Sequence, residues 1–144
     1  MRKVLLPVDG SKHSFAAARY LIDFVQMHGS LDVHVVNIEP EPHKGQTYGL
    51  EPETIEAQLA ARAKMAMNSV RHALEAAGIA HHVHVRLGDT ARSIVALANE
   101  LGCDSIVMGT RGLGGIAGLA LGSVTRKVLQ MTSVPVICVQ ADNP

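Results

Sequence analysis

Apolar positions along the chain follow two spacings in alternation. Val4-Leu5-Leu6-Pro7-Val8 is a short unbroken apolar run, the pattern of a strand covered on both faces. Asp9-Gly10-Ser11 interrupts it, with Ser11 placed to cap a helix in which Phe15, Ala18, Ile22 and Val25 recur at helical spacing up to Gly29. Val33, Val35, Val36 and Ile38 predict a second strand, closed by Pro40 and Pro42. Residues 40–51 hold two prolines and two glycines and little that could pack, which predicts a mobile loop.

Pro52 suits the first turn of a long helix whose apolar stripe is Ile55, Leu59, Ala63, Ala66, Val70 and Ala73, with Gly78 as its stop. Val83, Val85 and Leu87 alternate with polar residues, as in a third strand near a sheet edge. Asp89 or Thr90 caps a further helix carrying Ile94, Leu97 and Leu101, ended by Gly102. Ser105–Met108 reads as a fourth strand, about Ser123 to Met131 as a helix, and Val134–Val139 as a fifth strand.

Strands alternating with helices in this way mean parallel pairing through right-handed crossovers. The expected architecture is a single α/β domain over residues 1–144: a Rossmann-like open five-stranded parallel sheet with helices on both faces. Periodicity alone does not fix the strand order. In the order 3-2-1-4-5 the winding reverses between strands one and four, and ligands bind outside the carboxyl ends of the strands at such a point. That directs attention to the turn at Asp9 and the loop that starts at Gly109.

From Gly109 to Gly122, six of fourteen residues are glycine. Glycine costs conformational entropy on folding, so this density points to geometry: positive φ, or close approach of backbone N–H groups to a ligand. Leu113, Ile116, Leu119 and Leu121 suggest an anchored loop rather than a flexible linker. Gly122-Ser123-Val124-Thr125 then opens a helix, whose first N–H groups lack intrahelical acceptors. Unpaired donors, a positive dipole end and two hydroxyls make an anion site, for which phosphate is the natural occupant. The loop is not a P-loop, since no Lys-Ser/Thr ends it, and Asp9-Gly10-Ser11 is not a dinucleotide fingerprint. Asp9 would repel phosphate. Its carboxylate suits ribose hydroxyls or a divalent cation riding on the phosphates, or it is a simple turn residue.

The spacing Gly-x2-Gly-x9-Gly-Ser/Thr is met by Gly109, Gly112, Gly122 and Ser123. Together with Pro7-Val8-Asp9-Gly10-Ser11, Val35-Val36-Asn37-Ile38 and Val134-Pro135-Val136-Ile137, it makes the chain resemble the universal stress proteins, in their nucleotide-binding subgroup, over essentially its whole length. The resemblance implies an ATP-binding stress-response regulator. Pro7 would border the pocket, and Asp9 would lie at the ribose and near any Mg. Ile38 would meet adenine, while Met108 and Gly109 line the nucleoside. Gly112, Gly122, Ser123 and Val124 would offer N–H groups to the phosphates, with hydroxyls from Ser123 and Thr125. It also implies a homodimer through the last strand, Val134–Val139, whose apolar edge would invite pairing.

Composition narrows the classes. Thirteen basic and thirteen acidic residues give zero formal charge, and aromatics are 3% with no Trp. Nucleic-acid binding and docking on anionic membranes are therefore not expected. No apolar stretch is long enough to span a bilayer and no signal peptide is read, so the expected location is cytoplasmic. Cys103 and Cys138 make no disulfide framework, and Cys103 has no partner base that would make it a nucleophile. Met65, Met67 and Met108 read as packing.

Arg111, inside the glycine loop, is either the cation for phosphate charge or a solvent-facing side chain. His13 reads as a helix-surface residue. His82 and His84 share a strand face, yet no neighbouring Cys or carboxylate in the sequence completes a metal set, so a solvated edge strand is the reading. No catalytic base stands out. Weak ATP hydrolysis is the most that is expected, and a nucleotide-independent dimeric scaffold of the same fold is the alternative. Other protein partners are not named by the sequence.

Overall fold

Strands that are apolar on both faces need a helical layer on each side. The computed structural model describes residues 1–111 and 121–142 and shows that arrangement. The strands are β1 (Lys3–Pro7), β2 (Asp32–Glu39), β3 (His81–Leu87), β4 (Ser105–Gly109) and β5 (Val136–Val139). All pair in parallel, in the order β3-β2-β1-β4-β5. The helices are α1 (Lys12–His28), α2 (Lys44–Thr47), α3 (Pro52–Ala76), α4 (Thr90–Leu101) and α5 (Ser123–Met131).

Alternate residues of β1, β2, β4 and β5 feed two separate cores. Val4, Leu6, Val33, Val35 and Val107 pack against Ala17, Ala18 and Leu21 of α1 and Ala63, Met67, Val70 and Leu74 of α3. Leu5, Val36, Ile106 and Met108 pack against Ile94, Leu97 and Ala98 of α4 and Val128 of α5. The parallel register keeps like faces together, as where Leu5 lies opposite both His34 and Ile106.

Local signals start and stop the helices. The Ser11 hydroxyl accepts the Ser14 N–H at 3.2 Å, and the Asp89 carboxylate accepts the Arg92 N–H at 3.0 Å. Gly102 ends α4 in the left-handed region, with φ 68°.

Three details differ from the sequence reading. Residues 40–51 contain the single turn α2, held by the His43 N–H donating to Gln46 Oε1 at 2.9 Å. The buried stripe of α3 is Ala63, Met67, Val70 and Leu74, so Leu74 replaces Ala73 as the inward residue and Met65 is 80% exposed. The last strand begins at Val136, because the Val134 N–H turns back to the Thr132 hydroxyl and Pro135 has no N–H to give. Among the described residues, no helix is long and apolar enough to cross a membrane.

Candidate functional site

The carboxyl ends of β1 and β4 lie side by side at the point where the order reverses, and the chain leaves them in opposite directions. A cleft follows from that divergence. It spans about 480 Å³ of space, much of it open to solvent. β1 and the turn after it contribute Pro7, Val8 and Asp9, and β2 contributes Val36 and Ile38. β4 and its exit contribute Met108, Gly109 and Arg111, and the first turn of α5 contributes Val124 and Thr125.

The cleft is chemically divided. Val36, Ile38, Ile94 and Met108 form an apolar wall. Asp9 is the one carboxylate among the described lining residues and Arg111 the one cation. Asp9 Oδ1 accepts the Ser11 N–H at 2.9 Å, which orients the carboxylate and leaves Oδ2 for another partner. Arg111 Nε is buried with no hydrogen-bond partner among the described residues. At α5, Gly122 caps the helix without a side-chain acceptor, and the Ser123, Val124 and Thr125 N–H groups have no acceptor among the described residues.

Eight of the expected site residues therefore line one cavity: Pro7, Asp9, Ile38, Met108, Gly109, Arg111, Val124 and Thr125. Ser123 is exposed on the first turn of α5 and lies beside that lining. Gly112 lies outside the described residues. Two expected roles change. The Gly122 N–H does not face a ligand, since it donates to the Thr110 carbonyl at 2.7 Å and closes the mouth of the loop. The Thr125 hydroxyl is buried and donates to the Gly109 carbonyl at 3.0 Å, which ties α5 to the end of β4 and commits its proton.

Gly109 itself is explained by packing. A Cβ there would lie 2.6 Å from the carbonyl carbon of His13 and 2.7 Å from its Cβ, so glycine lets α1 press directly on β4. His13 is accordingly buried rather than on the helix surface. Its Nδ1 accepts the Ala141 N–H at 3.1 Å, and burial, then the charges of Lys12 and Arg111, lowers its pKa from the usual 6.5. Burial raises the pKa of both cysteine thiols, which removes Cys103 further from nucleophilic chemistry.

Val8, Ser14, Val36, Thr90 and Ile94 also line the cleft and were not among the expected site residues. The strand-end rule does point to Thr90, which opens α4 just past the carboxyl end of β3. Ser14 carries no such signal. It is an ordinary first-turn residue whose hydroxyl donates to the Ser11 carbonyl at 3.1 Å.

The sequence model of the universal stress protein family matches residues 1–140. A universal stress protein of Thermus aquaticus is 35% identical over 140 residues, covering 96% of this chain and 98% of its own. The solved structure of a Methanocaldococcus jannaschii universal stress protein superposes with a TM-score of 0.84 at 26% identity, covering 99% of this chain and 98% of that one. That of a universal stress protein from Archaeoglobus fulgidus in complex with dAMP gives 0.66 at 25% identity, covering 96% and 97%.

Proposed function

This chain belongs to the universal stress protein family, and from that premise we propose that it is a cytoplasmic ATP-binding regulator of the stress response. Nucleotide occupancy of the cleft would change the surface offered to protein partners. The observation that carries the reading is the composition of one cleft at the switch point: among the described residues, an apolar wall, one carboxylate, one guanidinium and a helix end whose first amides have no acceptor. The dAMP held by the Archaeoglobus fulgidus relative supports an adenine nucleotide as the occupant.

Each part has a chemical counterpart. Ile38 and Met108 offer apolar surface to the base, bordered by Pro7. Asp9 Oδ2 would accept ribose hydroxyls, or one coordination position of a Mg²⁺ held mainly by phosphate oxygens and water, since a lone carboxylate suits that shared mode. The amides of Ser123 and Val124, with the Ser123 hydroxyl, would receive phosphate oxygens at the positive end of α5, and Arg111 would neutralise their charge. Among the described lining residues there is no second carboxylate and no imidazole to orient a water molecule. Hydrolysis would therefore be slow at most.

Two copies would pair through β5. It is the terminal strand of the sheet, and Leu129 and Met131 before it are 43% and 46% exposed. Sedimentation equilibrium would show a dimer; a monomer at micromolar concentration would remove this part.

Thermal denaturation with and without Mg-ATP tests the main reading. Ligand at a hundred times its Kd adds about 2.7 kcal/mol, which for a chain of this size raises Tm by roughly 5–10 °C. Ser123→Glu should abolish the shift, because this exposed first position of α5 tolerates a carboxylate while the phosphates do not. An unchanged Tm with millimolar ATP, ADP and AMP would favour the nucleotide-independent scaffold.

A further inference from the structure

The end of the sheet opposite the cleft carries a second constellation. Parallel register sets His34 of β2 beside His82 of β3, and Val36 beside His84. Residues 32, 34, 82 and 84 thus share one sheet face. His34 is only 7% exposed, although it lies near the start of its strand. Its Nε2 lies 3.1 Å from Asp32 Oδ1, and His82 Nε2 lies 3.5 Å from the same oxygen. One donor atom from each of Asp32, His34 and His82 falls within 4.8 Å of the others.

We propose that Asp32, His34 and His82 form a binding site for a borderline divalent transition-metal ion of the zinc class, with a fourth position open to solvent. Ligand atoms about 2.0–2.2 Å from a tetrahedral zinc stand about 3.3–3.5 Å apart, close to the two separations seen here. Two imidazoles and one carboxylate suit zinc, copper or nickel rather than magnesium or calcium, which prefer all-oxygen shells.

A second observation is independent of the spacing. His34 Nε2 is buried and makes no well-directed hydrogen bond among the described residues, despite its nearness to Asp32. A buried polar atom without a partner carries a desolvation cost, and a metal ion off the nitrogen–oxygen line would supply the partner. The other ring nitrogen is already engaged, with His34 Nδ1 at 2.9 Å from His84 Nε2. If Nδ1 carries the proton, Nε2 presents a lone pair outward, the tautomer a metal ligand needs. The His34 and His82 rings stack with centroids 4.6 Å apart and planes 16° apart, so joint ligation requires the exposed His82 ring to turn until its in-plane lone pair meets that of His34. Asp32 Oδ2 faces the Lys3 ammonium at 3.8 Å, which leaves Oδ1 for the two imidazoles. An ion here would clip the edge strand β3 to β2. His84 positions a ligand and is not one itself.

The test uses full-length untagged protein stripped with a chelator, titrated with Zn²⁺ against a chromophoric competitor. The expected result is one tight equivalent per chain, a metal-dependent rise in Tm, and no displacement by Mg²⁺ at millimolar concentration. Asp32→Asn and His82→Ala should each weaken binding at least tenfold. His84→Gln should weaken it 10–100-fold if it orients His34. His81→Ala, which changes a neighbouring histidine outside the set, should leave binding unchanged. Asp32 and His82 are exposed at their tips, so the metal-free Tm of both variants should match the parent and separate lost ligation from lost fold. Weak binding that is indifferent to Asp32→Asn and His82→Ala would overturn the proposal and leave a proton-bridged polar cluster.

Discussion

Gly109→Ala isolates the contact on which the cleft is built. The added Cβ would sit 2.6 Å from the His13 carbonyl carbon and 2.8 Å from its oxygen, and both are backbone atoms that no rotamer change can move aside. To reach the 3.4 Å of an ordinary contact, α1 must withdraw from β4 by about 0.8 Å at the point where Ser14 and Asp9 face the cavity. Overpacking of this kind costs about 1–3 kcal/mol, and a rigid backbone clash belongs at the upper end. The expected fall in Tm is roughly 4–10 °C, with a matching loss in the midpoint of urea unfolding and an unchanged slope. Gly45→Ala is the control, since a Cβ there meets nothing within 4 Å. If Gly109→Ala unfolds at the parent temperature, α1 does not bear on β4 as described, and the cleft geometry fails with it.

Other consequences can be measured in the same way. Thr125→Val strands the Gly109 carbonyl and should cost about 1–2 kcal/mol, whereas Thr125→Ser should cost much less. Leu74→Ala should cost about 2–5 kcal/mol because the side chain is fully buried, while Met65→Ala on the exposed face should change stability by no more than about 0.5 kcal/mol; equal effects would refute the assigned face of α3. His13 has a pKa below 6.5 in the folded state, so the unfolded chain takes up its proton first as pH falls. Its contribution is intact above pH 6.5 and is lost as pH drops from there through the folded value. His13→Asn keeps an acceptor for Ala141 and should flatten that part of the stability profile; an unchanged slope would refute it.

Much of the fold could be read from local pattern. Double-faced apolar strands, the Ser11 and Asp89 caps and the Gly102 stop each act within a few residues, and the structure reproduces them. The family resemblance and the strand-end rule together pointed to Asp9, Ile38 and Met108, because those residues terminate strands or follow directly from them. What was hidden depends on partners distant in sequence. His13 looks like a surface residue until β4 presses against it through Gly109. The Gly122 amide looks available until Thr110 takes it. The histidines of β3 lack a carboxylate until register brings Asp32 alongside, fifty residues earlier than His82. The phase of α3 slipped by one position because alanines at 66 and 73 mark a stripe as weakly as any residue can, and Met67 and Leu74 carry the burial instead.

The central claim is that the amides opening α5 receive phosphate oxygens. The most direct measurement is a titration of ¹⁵N-labelled protein with Mg-ATP, following backbone amide resonances. Saturable shifts are expected to be largest at Ser123 and Val124, with Asp9 and Ile38 moving in step and the amide of Leu74, which does not line the cleft, unmoved. Resonances of Ser123 and Val124 that stay in place at millimolar nucleotide would contradict it.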